Sequence, residues 1–373
     1  MILFWSVAGV VLSAIPALLF LRNLPLFCVD MPEPIDASSP PSVSVLIPAR
    51  DEAAGIRKSV LAALANQGVD VEVVVLDDHS TDATPDIVQE LSQQDRRVRY
   101  VMGKELPGDW NGKQFACLQL AEAASHQRMV FIDADVHLRK HALSQLIARQ
   151  DQTEVALLSA FPYQQTSTLL EKWLIPLIHY ILLGFLPMAR MRSTVDPAFA
   201  AGCGQLFVTL KSDYQRAGTH AAIKASRHDG LKLPRVYRTA GLSTDVIDGT
   251  DLADCRMYEG AGQVIRGVLK NASEGIANPK LIVIFTILLL GASLLPLLTL
   301  ILSVLEGETL AIVVSLVGIV LAHVPRFVAA IRFRQAWIGV LFHSVATPMF
   351  VALQWVALAN HLMGRKVAWR GRH

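Results

Sequence analysis

Two uncharged apolar runs constrain this chain before anything else does. Residues 1–21 contain no charged side chain ahead of Arg22, and residues 281–305 form a second run free of charge. About 20 apolar residues in a helix cross the hydrocarbon core of a bilayer, so each run is long enough to span it. A third apolar run comes after Glu306 and Glu308 and leads to Pro325 and Arg326. The 373 residues are 52% hydrophobic and 18% charged, which fits one sizeable globular domain plus membrane-embedded helices. The N-terminal run lacks a basic leader and a small-residue cleavage site, so it reads as an anchor and not as a signal peptide.

Charge then orients the chain. Arg22 draws the segment C-terminal to it to the cytoplasm, leaving the N-terminus outside the inner membrane. Residues 336–363 lie between two basic clusters, Arg326/Arg332/Arg334 and Arg365/Lys366/Arg370/Arg372. One crossing would separate the clusters and two ordinary spans would not fit, so a re-entrant or interfacial hairpin broken near Pro348 is expected, with a plain span as the alternative. Trp173 to Met188 is apolar, holds Pro176, His179 and Pro187, and precedes Arg190 and Arg192. It reads as an interfacial element on the inner leaflet, with a buried core helix as the alternative. A net charge of only +2 argues against nucleic acid as a partner. The four scattered cysteines indicate neither a zinc site nor a disulfide framework.

The expected organisation is an anchor at 1–27, a linker at 28–41, and a cytoplasmic domain at 42–280 with an interfacial segment at 169–190. Spans near 281–305 and 309–331, the hairpin at 336–363 and a basic cytoplasmic tail at 364–373 complete it. Within 42–280 apolar strands alternate with helical spacing: strands at 43–49, 71–78, 98–102 and 129–133, helices near 52–66, 84–93 and 113–125. That alternation means an α/β fold with a mostly parallel sheet.

Functional residues of such a sheet collect at the strand C-terminal ends. Arg50-Asp51-Glu52 comes after the first strand, Asp77-Asp78 ends the second, and Asp133 with Asp135 ends the fourth. Two carboxylates one residue apart are hard oxygen ligands suited to Mg²⁺ or Mn²⁺ shared with substrate phosphates. Neither a Walker motif nor a GxGxxG turn is present, which removes the P-loop and classical dinucleotide readings.

LIPARDE, VVVLDDHSTD, WNGK and FIDAD, in that order, resemble the family 2 glycosyltransferases, which have the GT-A nucleotide-sugar fold; the resemblance covers about 42–275. It implies that Pro48, Ala49, Arg50, Glu52, Asp77 and Asp78 hold the nucleoside of a nucleotide-sugar donor, with Asp78 toward the base. Asp133 and Asp135 would hold the divalent ion bridging the donor diphosphate, and Lys113 would meet donor phosphate or sugar. Gly202 and Gly204 would lie beneath the acceptor and permit close backbone approach. Asp229 occupies the position of the family's catalytic base, although His228 replaces the usual Glu beside it. Gln263-Val264-Ile265-Arg266-Gly267 matches a Gln-x-x-Arg-Trp motif except for the Trp, so Gln263 and Arg266 would contact the leaving diphosphate. The missing Trp argues against polymer synthesis. The tail Trp369-Arg370-Gly371-Arg372 is similar to that of ceramide and related lipid glucosyltransferases. The whole looks most like bacterial enzymes of hopanoid or carotenoid pathways.

The resemblance therefore implies inverting transfer of one sugar, from a donor of the UDP-sugar type, to a membrane lipid. Burial is expected to raise the pKa of Asp229 for its work as base. Transfer to polyprenyl phosphate, and an inactive nucleotide-sugar-binding membrane protein, remain as alternatives. A transporter is disfavoured, because no charge lies well inside the two clearest spans.

Overall fold

The computed structural model describes residues 1–34, 40–272 and 274–363. The expected basic tail at 364–373 and residues 35–39 of the expected linker lie outside them. The chain divides into two compact units: residues 27–165 with 189–257, and residues 1–26 with 166–188 and 258 onward.

The first unit holds an eight-stranded sheet in the order β3-β2-β1-β4-β7-β6-β8-β5. Its strands are β1 Ser42–Ala49, β2 Asp70–Asp77, β3 Val98–Met102, β4 Arg128–Ile132, β5 Val136–Leu138, β6 Leu157–Gln164, β7 Leu206–Leu210 and β8 Thr244–Cys255. β3, β2, β1 and β4 run parallel. β7 is antiparallel to both β4 and β6, and β5 to β8, so the sheet is parallel where the motifs lie and mixed beyond. The period of two along β1 explains the layering. Val43, Val45, Ile47 and Ala49 face a core shared with the helices Ile56–Leu64, Thr84–Gln94 and Ala142–Thr153. Leu46 faces a second core, filled by Ala116, Cys117 and Leu120 of the helix Gly112–Ala123 and by Leu233 and Tyr237 of Asp229–Thr239. Helices thus cover both faces.

The segment after Met188 is stapled to this unit by a buried arginine. Arg238 is 2% exposed, and its guanidinium donates to the carbonyls of Met191, Thr194 and Asp196 and to Thr244 Oγ1. Arg192 pairs through two nitrogens with buried Asp245. The Arg192 charge is thus spent inside the unit, whereas Arg190 is exposed.

The second unit is helical. Ile2–Phe27, Thr309–Arg332 and His343–Leu362 are each long and apolar enough to cross a membrane. Ile282–Ser293 and Leu295–Glu306 are long and apolar enough only as a pair, which is bent by 48° at the break between them. Pro296 explains the bend: it has no N–H to offer the Ala292 carbonyl one turn back, and Ser13 Oγ donates to that carbonyl instead, at 2.7 Å. Large apolar side chains such as Phe4, Val11, Leu18, Ile284, Ile287, Leu298, Ile301, Val313 and Val320 point outward from these helices. The sheet unit exposes few of that size.

Three expectations change in this unit. Residues 166–188 and 258–280 belong to it and not to the sheet domain expected at 42–280, because their apolar faces pack with the other helices: Leu174, Leu177, Tyr180 and Val264 share one core with Leu289, Ala346 and Val351. The break expected near Pro348 falls elsewhere. His343–Leu362 runs through that proline, and the break lies instead at Phe342, between the short helix Trp337–Leu341 and the start of His343–Leu362. A single proline costs one hydrogen bond and bends a packed helix without ending it. Arg326, finally, is fully buried and donates to Gln335 Oε1 and the Gly339 carbonyl, both at 3.3 Å. It holds the irregular segment after Arg332 and is not part of an exposed basic cluster.

Candidate functional site

The site grows from one pairing. β4 is the strand at which the order turns back past β1, the position where open α/β sheets bind ligands. Beyond Ile132, Asp133 N donates to the Gln205 carbonyl at 3.1 Å, which continues the β4–β7 ladder and sets the loop before β7 beside the Asp133–Asp135 turn. The helix Gly112–Ala123 begins at Asn111, whose Oδ1 accepts from Lys113 N. Lys113 is therefore a first-turn residue, and its side chain reaches the same loop.

Lys113 Nζ lies 2.6 Å from Asp133 Oδ1 and 2.8 Å from Asp229 Oδ2, and it donates to the Gly204 carbonyl at 3.1 Å. The sequence places these residues far apart, and the fold joins them through one ammonium. Asp229 is buried and opens the helix Asp229–Thr239, with its Oδ1 accepting from Gly230 N at 2.8 Å. A Cβ on Gly204 would stand 2.1 Å from that Oδ1. The close approach expected of Gly204 is thus to the carboxylate of Asp229. Gly202 packs against Phe207, Pro234 and the Gly230 carbonyl. His228 precedes the helix as its N-cap without a capping side-chain bond, and its N–H donates to Ser226 Oγ.

Electrostatics divides the two carboxylates. Burial pushes the Asp133 carboxyl up to about 6, with Asp135 and Asp229 adding to the rise and Lys113 opposing it. Burial acts on Asp229 in the same direction, but the charge and hydrogen bond of Lys113 outweigh it, and Asp229 lies below the ordinary carboxylate range. This corrects the expected rise. Lys113 is held well above its usual value: burial lowers it, and Asp133 and Asp229 more than compensate. Below them His220, hydrogen-bonded to Tyr214 at 2.7 Å, is driven by burial to about 3 and is neutral at physiological pH.

The residues expected to hold a nucleoside stand at the ends of β1 and β2, paired with Ala49 opposite Asp77. The loops after these two strands are stitched together. Asp51 N donates to Ser80 Oγ, Thr81 N to Asp51 Oδ1, Glu52 N to Thr84 Oγ1 and Ala53 N to Asp82 Oδ2. Each loop carries one non-glycine residue in the left-handed region, Asp51 at φ 53° and His79 at φ 54°. Arg50 donates to the Asp78 carbonyl and lies 3.6 Å from its Oδ2, while Asp77 accepts weakly from Ser80 N. Pro48 and Ala49 close the strand, the Ala49 carbonyl accepting from Asp78 N.

Asp133 and Asp135 offer two hard oxygen donors. Among the described residues no group of three or more His, Cys, Asp or Glu is arranged to hold a metal ion. Two carboxylates fit an ion that completes its shell with substrate phosphate and water, as Mg²⁺ and Mn²⁺ do, better than one caged by protein.

Gln263 and Arg266 lie in the helical unit, on the helix Ala261–Ala272. Gln263 Oε1 accepts from Glu259 N at 2.9 Å. The missing Trp has a local reason: a Cβ on Gly267 would stand 2.1 Å from the Tyr258 hydroxyl, whose ring fills the space. Sequence reasoning missed Gly230, whose Cβ would come within 2.9 Å of the Gly202 carbonyl. The Asp-Gly pair at a helix start was the available signal.

Residues 44–213 match the glycosyl transferase family 2 profile. The 4,4'-diaponeurosporenoate glycosyltransferase of Staphylococcus aureus strain USA300 is 32% identical over 260 residues, covering 67% of this chain and 66% of that protein. The same enzyme from strain MRSA252 matches to the same extent. The chain thus spans just under two thirds of the length of these relatives. A solved structure of the mannosyltransferase PcManGT from Pyrobaculum calidifontis, in complex with GDP-Man and Mn²⁺, superposes with a TM-score of 0.55 at 16% identity, covering 97% of this chain and all of that one; it speaks for the fold alone. With strand order, motif placement and profile in agreement, residues 44–213 form a glycosyl transferase family 2 domain, and the sheet unit has the GT-A fold.

Proposed function

We propose that this protein transfers one sugar from a nucleotide-diphosphate donor of the UDP-sugar type to a membrane lipid, with inversion at the sugar carbon. The observation that carries the proposal is the constellation of Lys113, Asp133 and Asp229 at the ends of β4 and β7. It joins Asp133, which would ligate the metal, and buried Asp229, which would act as base, through one ammonium. A divalent ion, Mg²⁺ or Mn²⁺, held by Asp133 and Asp135 would supply Lewis-acid stabilisation of the departing nucleotide. Pro48, Ala49, Arg50, Glu52, Asp77 and Asp78 bind the nucleoside. Asp229, ionised at neutral pH because Lys113 holds it so, takes the proton of the acceptor.

The carotenoid-acid acceptor named in the relatives, together with the outward apolar surface of the helical unit, supports a lipid of carotenoid, hopanoid or similar type. The sheet unit works on the cytoplasmic side, with the N-terminus outside. Transfer to polyprenyl phosphate would call for a basic patch such as Arg190 with Arg192, and of these Arg192 is paired with Asp245 while Arg190 is exposed.

Purified protein stripped with EDTA and given a nucleotide-sugar panel with a membrane lipid extract should form no glycolipid until Mn²⁺ or Mg²⁺ is restored. Asp135→Ala should lose most turnover with the fold intact. Asp229→Asn should keep donor binding and slow transfer at least ~100-fold. Full activity after metal removal refutes the metal role; unchanged transfer by Asp229→Asn refutes the base.

A further inference from the structure

Lys113 occupies ground that a metal ion would need. An ammonium has three N–H donors, and all three of its contacts are acceptors of this site: Asp133 Oδ1, Asp229 Oδ2 and the Gly204 carbonyl. A divalent ion bound through Asp133 and Asp135 competes for the same Asp133 carboxylate, and two cations repel strongly at contact distance in a half-buried site. The three groups are not equally free to yield. Asp229 is pinned by Gly230 N and by the crowding at Gly204, and the Gly204 carbonyl belongs to a loop held by the β4–β7 ladder. The contact to Asp133, whose side chain is 29% exposed, faces the open side.

We propose that Lys113 is the resident counter-ion of Asp133, and that a divalent ion entering at Asp133 and Asp135 displaces its ammonium, which stays on Asp229 and the Gly204 carbonyl. The inference rests on the metal reading given above and adds to it an exchange between two cations. Lys113 is then a positioning residue that couples occupancy of the metal site to the base: the ammonium it shares between two carboxylates when the metal is absent becomes the undivided partner of Asp229 when the metal is bound. The intrinsic metal affinity of the pair is then higher than its apparent affinity in the wild type, because displacing the lysine opposes binding.

Mn²⁺ binding to the full-length protein in detergent, read from the electron paramagnetic resonance of free Mn²⁺, tests this without turnover. Lys113→Met should bind Mn²⁺ at least about tenfold more tightly than the wild type, in line with removal of a contact ion pair. That variant leaves a buried carboxylate unpaired and can fail to fold, so the charge-balanced double variant Lys113→Met/Asp229→Asn is the deciding one. Its net charge at the site equals that of the wild type, so a simple charge effect leaves affinity unchanged, whereas exchange predicts that the gain persists. Asp135→Asn must weaken binding in every background. Asp135-dependent binding that is no tighter in the double variant overturns the exchange alone. Binding indifferent to Asp135 overturns the metal reading and the exchange with it.

Discussion

Gly204→Ala tests the geometry of Asp229, the proposed base, more sharply than removal of that carboxylate itself. The added Cβ would stand 2.1 Å from Asp229 Oδ1, 2.7 Å from its Cγ and 3.0 Å from its Oδ2. Carbon and oxygen come no closer than about 3.0 Å, so the carboxylate must withdraw by roughly 1 Å, and it cannot do so while keeping both Gly230 N and Lys113 at 2.8 Å. A misplacement of about 1 Å costs on the order of 100-fold in rate. The overpacking itself costs about 1–3 kcal/mol of stability. Single-turnover transfer should therefore slow ~100-fold, while donor affinity, to which Asp229 is not proposed to contribute, changes less than about threefold. Gly108→Ala is the control, because a Cβ there meets nothing within 4 Å, and its rate should match wild type. A Gly204→Ala protein that melts near the wild type and turns over at the wild-type rate would refute the claim that Asp229 must sit where it does.

The pH dependence of the metal-free protein should show Asp133. Its folded pKa is raised from 3.8 to about 6, so between those values the folded state binds more protons than the unfolded one, and stability falls as pH rises through that window. Asp229 has the opposite sign, its stabilisation present above the unfolded value and lost as pH falls through its lowered one. Thermal melts of Asp133→Asn in EDTA should lack the decline between about pH 4 and pH 6 that the wild type shows; an identical decline in both assigns it to another group. Cysteine labelling of intact cells, with Cys28 replaced, should reach a cysteine placed at 307 and miss one at 190. Labelling at 190 would place the sheet unit outside and contradict the proposed orientation.

The GT-A domain and its strand ends were legible because they rest on local pattern. Runs such as VSVLIPA and VEVVVLDD declare buried parallel strands by composition, and Asp133 and Asp135 advertise themselves by ending one. The uncharged run at 281–305 announced a span in the same way, yet its 48° bend needed Pro296 together with Ser13 from the other end of the chain. The apolar content of 166–188 was equally plain, but its assignment to the helical unit depended on partners such as Leu289 and Val351. Pro348 looked like a break by local rule, and tertiary packing carried the helix through it.

At the site the same division holds. The sequence by itself determined which residue types were present, two metal-suited carboxylates, a lysine at a helix start, glycines before a strand and an acid after them. The tertiary structure alone decided that Lys113 would reach a carbonyl 91 residues away, that Gly204 would be required by the carboxylate of Asp229, and that Asp229 would be lowered while Asp133 is raised. The physical reason is range. Hydrophobic period and turn chemistry act over a few neighbours and can be read from the chain, whereas desolvation and charge pairing are set by whatever long-range strand pairing brings alongside, here β7 entering antiparallel beside β4.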